Sequence, residues 1–127
     1  MGLLISKRYK FEAAHYLPFV PEGHPCKRLH GHSYSFTVTL KGEVNELGFV
    51  LDYNELDVYV KGLADSLDHR LLNEIKGLEN PTAENICVWL ADKLNNTEIK
   101  SFLHSVKVKE TEKTESILYV NRDNRSI

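Results

Sequence analysis

His30 and His32 flank a single glycine in the run CKRLHGHSY, and Cys26 stands four residues before the first of them. If the run is extended, side chains two apart share a face, so both imidazoles point the same way. They prolong an apolar row, Tyr34, Phe36, Val38 and Leu40, that reads as the buried side of a strand. His15 ends a comparable row after Phe11 and Ala13. Three imidazoles from neighbouring strands, aimed at one buried side, form the ligand set of an open catalytic zinc site with a fourth position for water or substrate. A row of imidazoles on a core face needs a partner for every ring nitrogen, and one metal ion serves all three. Zinc is the favoured occupant, although iron, nickel and copper also accept imidazole.

Cys26 admits two roles. As a fourth ligand it would close the site and make it structural. Beside the cations Lys27 and Arg28, which favour a thiolate, it would instead act as base or nucleophile. The catalytic role is preferred, because the surrounding loop is rich in proline. Asp68 and His69 follow an apolar helical face. A histidine there suits a helix C-terminus; an Asp–His pair would equally orient or protonate, partnering Cys26 across a gap or a subunit boundary. Glu110 falls in phase with Val106 and Val108, so its carboxylate needs a partner on an apolar face. A planar donor pair from a ligand would serve, as would a structural cap to the run ETEKT. Cys87 reads as a packed small hydrophobe, His24 as a loop residue and His104 as sheet surface or rim.

The elements that must position these groups are legible from periodicity. Residues 3–15 alternate, with Leu3, Ile5, Tyr9, Phe11 and Ala13 on one face and Lys7 interrupting it, and residues 30–40 alternate more regularly. The segment between them holds three prolines and a glycine and is a loop. Asp52 with Glu55 predicts an N-cap and capping box, followed by a helical face of Leu56, Tyr59, Val60, Leu63, Ala64 and Leu67. Thr82 predicts a second N-cap, before Ile86, Trp89, Leu90 and Leu94. Alternation returns over 102–110 with Phe102, Val106 and Val108, and SILYV makes a last strand. The order ββααββ predicts an α+β domain, an antiparallel sheet with two helices on one face, spanning 1–127 with a polar tail over 120–127.

Bulk properties narrow the function. A chain of 127 residues forms one domain able to bury a core. Its net charge of −2, with both signs interspersed, offers no stripe for nucleic acid, so an anionic ligand would need cations supplied locally. No apolar run approaches the roughly 18 residues of a membrane span, and the start is too charged for a secretory signal. Two cysteines make no disulfide framework and point to a reducing compartment, the cytoplasm.

The motifs FEAAH, C-x-x-x-H-G-H-S-Y, LDH, ENPTAEN and VKET, in this order between Phe11 and Tyr119, resemble the 6-pyruvoyltetrahydropterin synthase superfamily. The short spacing from the cysteine to H-G-H is similar to the bacterial branch of the queuosine pathway, the 6-carboxy-5,6,7,8-tetrahydropterin synthases; the pyruvoyl-forming enzymes carry a longer one. The resemblance implies the tunnelling fold, with ββααββ subunits in ring-like trimers stacked into hexamers. It implies Zn2+ on His15, His30 and His32, Cys26 as proton acceptor, and Asp68 and His69 as its relay across a subunit interface. Glu110 would grip the guanidine-like edge of a pterin and count among the catalytic residues, and Thr82 matches a pterin-pocket position. Ala83 departs from relatives that often carry a hydroxyl there. The implied substrate is a small molecule, 7,8-dihydroneopterin triphosphate, converted with loss of acetaldehyde and triphosphate to a 6-carboxytetrahydropterin. Lys27 and Arg28 are the cations expected at the triphosphate, and neither nucleic acid nor membrane is an expected partner. Two alternatives stand beside this reading: triphosphate elimination alone, giving the pyruvoyl product, and a non-catalytic zinc- or pterin-binding protein on the same fold.

Overall fold

Alternation builds the sheet. In the computed structural model, which describes residues 2–120, strand β1 (Leu3–His15) pairs antiparallel with β2 (His30–Gly42) along its whole length, from Leu3 opposite Gly42 to His15 opposite His30. This register puts Tyr9, Phe11, Tyr34, Phe36, Val38 and Leu40 on one buried face. The rings of Phe11 and Tyr34 stack with centroids 4.8 Å apart. Strand β4 (Leu103–Thr111) pairs antiparallel with β2, and β5 (Thr114–Tyr119) with β4.

Both predicted helices pack on that face and share its core. Helix α1 (Tyr53–Leu67) starts where the Asp52 carboxylate accepts the Asn54 N–H at 2.8 Å, a cap that contributes about 1 kcal/mol. The capping box is only half made: Glu55 sits in the first turn, but among the described residues its carboxylate does not return to the Asp52 N–H. Leu56, Val60, Ala64 and Leu67 are buried, with Tyr59 and Leu63 on the flanks. Asp57 faces β1 and accepts from the Tyr9 hydroxyl at 2.6 Å and Lys7 Nζ at 2.9 Å, which explains the lysine that interrupts the apolar row. Helix α2 (Ala83–Asn95) is capped by the Thr82 hydroxyl, which accepts the Asn85 N–H at 3.0 Å. It buries Ile86, Cys87, Leu90, Ala91 and Leu94. Trp89 stays at the margin, donating Nε1–H to the Lys76 carbonyl.

Four features depart from the pattern read in the sequence. A two-residue strand, β3 (Arg70–Leu71), runs parallel to Ala13 and Ala14, giving the sheet order β3-β1-β2-β4-β5. Two residues are too few to show a period, yet they fasten the end of α1 beside His15. His104, expected at the surface or rim, is 6% exposed. A register shift opposite Thr39 and Leu40 makes it an extra residue in β4, packed edge-on against Tyr119 with Nδ1 3.2 Å from the Ser105 hydroxyl. A bulge of one residue leaves no mark in alternation. Phe102 closes the 3-10 turn Glu98–Ser101 instead of opening the strand. Val120 donates its N–H to the His104 carbonyl and packs on the core, so the first residue of the expected tail belongs to the folded body; 121–127 lie outside the described residues. No helix among the described residues is long and apolar enough to cross a membrane.

Candidate active site

The last rungs of the β1–β2 ladder carry the histidines. His15 lies opposite His30 and Ala13 opposite His32, so all three rings meet at one end of the core. His15 Nδ1 is 2.8 Å from the Pro81 carbonyl, and His30 Nδ1 is 2.6 Å from the Arg28 carbonyl. A carbonyl only accepts, so each Nδ1 carries the hydrogen and each neutral ring presents a bare Nε2. These two Nε2 atoms face one another at 3.0 Å. His32 Nε2 is buried and has no hydrogen-bond partner among the described residues. One ligand atom from each ring lies within 4.8 Å of the others. Opposed lone pairs repel, and an orphaned buried nitrogen costs about 1–3 kcal/mol. A metal ion at their convergence converts all three into bonds, so His15, His30 and His32 can hold one.

The electrostatics agree. Burial pushes the His15 pKa down, and the neighbouring rings of His30 and His32 push the same way against the Pro81 bond and the Glu110 charge. Burial also lowers His32, opposed by Glu110 and assisted by His30. Both therefore favour the neutral imidazole that a metal requires. Glu110 reaches this point from β4, its carboxylate oxygens 3.7 Å from Nε2 of both His15 and His32. Tyr34, fully buried, places its hydroxyl 3.1 Å from His15 Nδ1 and stays protonated, because burial and then the Glu110 charge raise its pKa.

Cys26 occupies a 3-10 turn, Pro25–Lys27, half-buried and with a free thiol. His24 Nδ1 accepts the Cys26 N–H at 3.0 Å, and the Leu17 N–H donates to the Cys26 carbonyl at 2.8 Å. The cluster of converging donor atoms contains the three histidines and not this sulfur. Lys27 folds back on its own loop, donating to the Pro18 and Val20 carbonyls and pairing with Glu22 at 3.2 Å. Arg28 is exposed, and its carbonyl holds His30. The Thr82 hydroxyl is engaged in the α2 cap, one residue after the carbonyl that holds His15.

Asp68 and His69 leave α1 through a constrained turn. His69 has φ +57°, a left-handed conformation rare outside glycine, and its N–H donates to the Glu12 carbonyl. Asp68 accepts the Glu12 N–H at 2.8 Å and lies 2.9 Å from His69 Nδ1. That backbone bond, and then the His69 bond, hold the Asp68 carboxyl below its ordinary range. His69 Nδ1 therefore donates to the carboxylate and Nε2 is the available acceptor. The ring is 79% exposed and borders an open cavity of about 600 Å³ with Glu12, Ser33 and Arg70. Cys26 is not among the residues that line this cavity. Cys87 is inert: it donates to the Val106 carbonyl, and burial pushes its thiol up to about 11. The Pro81 carbonyl and Asn73 were not singled out from the sequence; the first is a backbone atom without a residue-type signal, and the second is one polar residue in a turn.

The 6-pyruvoyl tetrahydropterin synthase family profile matches residues 4–121. The chain is 43% identical to 6-carboxy-5,6,7,8-tetrahydropterin synthase of Synechocystis sp. over 114 residues, 85% of this chain and 86% of that one. It is 37% identical to dihydroneopterin monophosphate aldolase of Pyrococcus furiosus over 74% of this chain and 76% of the relative. Its fold superposes on 6-pyruvoyl tetrahydropterin synthase of Caenorhabditis elegans with a TM-score of 0.87, at 26% identity and covering 95% and 97% of the two chains. With the profile matched over residues 4–121 and the fold superposed over nearly the whole chain, the chain belongs to the 6-pyruvoyl tetrahydropterin synthase family, as a tunnelling-fold enzyme acting on pterins.

Proposed function

We propose that the chain is a zinc-dependent 6-carboxy-5,6,7,8-tetrahydropterin synthase. It converts 7,8-dihydroneopterin triphosphate and one water to the 6-carboxytetrahydropterin with release of acetaldehyde and triphosphate, a step toward queuosine. The observation that carries the reading is the convergence of three imidazoles beside Glu110, two with bare Nε2 atoms and the third with an unpartnered one. The choice of branch is supported by the 43% identical relative of that name and by the short Cys26-to-His30 spacing.

When bound, zinc supplies Lewis-acid polarisation of the substrate's side-chain oxygens. Glu110 accepts two N–H donors from the guanidine-like edge of the pterin, a charge-assisted pair that orients the ring. Cys26 Sγ takes a proton from the substrate side chain, and His69 Nε2, its ring held by Asp68, moves the proton onward. General base catalysis of this kind contributes about 10²–10⁴-fold. The relay to Cys26 comes from a neighbouring subunit, in a hexamer of two stacked trimers, a reading supported by the cavity beside His69 having no Cys26 in its lining. Open edges support such an assembly: among the described residues, β1 has a β3 partner only at Ala13 and Ala14, and β5 is an edge strand. Arg28 is the freer of the two cations assigned to the triphosphate, since Lys27 is tied into its loop; Thr82 contributes to the pterin pocket through its place beside Pro81. Two free thiols fit a cytoplasmic enzyme.

The test is the product formed from 7,8-dihydroneopterin triphosphate by the zinc-loaded protein, identified by mass beside an acetaldehyde assay. A 6-carboxytetrahydropterin with acetaldehyde is expected. A pyruvoyl product without acetaldehyde would move the chain to the other branch, and zinc binding without turnover would make it a binding protein.

A further inference from the structure

The geometry points to Asn73 as a positioning residue for the His15 side of the metal centre. This rests on the reading of His15, His30 and His32 as metal ligands. Asn73 lies half-buried in the 3-10 turn Leu72–Glu74, just after β3. Its Oδ1 accepts the Tyr16 N–H at 3.1 Å, while Nδ2 donates to the Tyr16 carbonyl at 2.8 Å and to the Glu79 carbonyl at 3.3 Å. Bonds to both backbone groups of Tyr16 are what a parallel strand would supply. The Asn73 side chain therefore continues the short β1–β3 ladder beyond Ala14 and past His15.

The three bonds close a frame around one ligand. Tyr16 follows His15 directly, so its backbone sets where the His15 Cα sits. Glu79 precedes by two residues the Pro81 carbonyl that receives the His15 Nδ1 hydrogen and fixes its tautomer. Leu17, next along, anchors the Cys26 carbonyl, so the same frame extends to the thiol loop. Only a primary amide offers a planar acceptor and two donors on so short a side chain. A flipped amide would set oxygen against two carbonyls, so the network also fixes its orientation. Asn73→Asp preserves shape and the Tyr16 N–H bond but cannot donate to either carbonyl.

The experiment compares zinc affinity, by chelator competition on the whole protein, for wild type, Asn73→Asp, Asn73→Ala and Asp57→Asn. The last variant loosens the α1–β1 clamp far from the histidines and controls for general destabilisation. Visible spectra of the cobalt-substituted proteins report the ligand geometry. Removing an outer-shell partner of a metal ligand costs 10–100-fold in affinity, and about tenfold is expected for both Asn73 variants, with a shifted cobalt spectrum. Asp57→Asn is expected to lower the melting temperature and leave zinc affinity and spectrum as in wild type. Folded Asn73 variants with unchanged affinity and spectrum would overturn the proposal. So would failure of both to fold, or an equal affinity loss in Asp57→Asn, since either makes Asn73 a residue of the fold alone. A wild type that binds neither zinc nor cobalt would remove the metal reading itself, and the proposal with it.

Discussion

Two buried histidines, His15 and His104, occupy strands of one sheet and do opposite things. Both are nearly inaccessible, and burial lowers the pKa of each. His104 is satisfied locally, with Ser105 at its Nδ1 and Tyr119 against its ring. His15 has one nitrogen tied to a carbonyl and the other aimed at the bare nitrogen of His30. Burial of an imidazole therefore does not mark a site. Convergence of lone pairs whose opposite nitrogens are already committed does, because no rearrangement of hydrogens can relieve it.

The sharpest way to break this comparison is to remove each ring in turn. His15→Ala should abolish stoichiometric zinc binding and turnover, whereas His104→Ala should keep one zinc per chain; metal analysis after dialysis decides. If both variants retain zinc, the contrast fails.

Next in size is Cys26→Ala, outside the imidazole cluster. Turnover should fall by about 10²–10⁴-fold while zinc remains bound. Loss of zinc from this variant would make the thiol a fourth ligand. Glu110→Gln keeps the shape beside the rings and removes the charge. A lost charge-assisted bond is worth about 1.5–3 kcal/mol, so kcat/KM should drop roughly 10–100-fold. Steady-state kinetics with zinc content held equal would test this.

The smallest effect concerns His104 and pH. A histidine whose folded pKa is lowered binds fewer protons folded than unfolded below its ordinary value. Its contribution to stability is therefore present above about pH 6.5 and declines as pH falls through the window toward the lowered value. Burial is the main cause, with the Lys41 charge second. His104→Gln should flatten the acid side of the melting-temperature profile without altering activity. The shift should correspond to about 1 kcal/mol, typical of a single substitution.

Much of this molecule is legible in its sequence. Side-chain alternation placed β1 and β2, their inward faces, and three histidines in phase with them, because a strand has a period of two whatever its neighbours. Asp52 and Thr82 marked both helix starts, since their side chains cap the orphan N–H groups of the turn that follows. The phase of Glu110 with Val106 and Val108 put a carboxylate on the correct face. None of these needs more than the chain's own neighbours.

Tertiary structure decided the rest. Only strand pairing sets His15 opposite His30, and only the Pro81 and Arg28 carbonyls, which every residue type carries alike, turn bare nitrogens toward a common point. The bulge that buries His104 and the two-residue β3 are too short for any period to reveal. Asn73 became visible through its bonds to Tyr16 and Glu79, partners it meets only once the sheet edge has formed. Composition and spacing determined which groups could do chemistry; the register of strands and the paths of backbone carbonyls decided which of them meet.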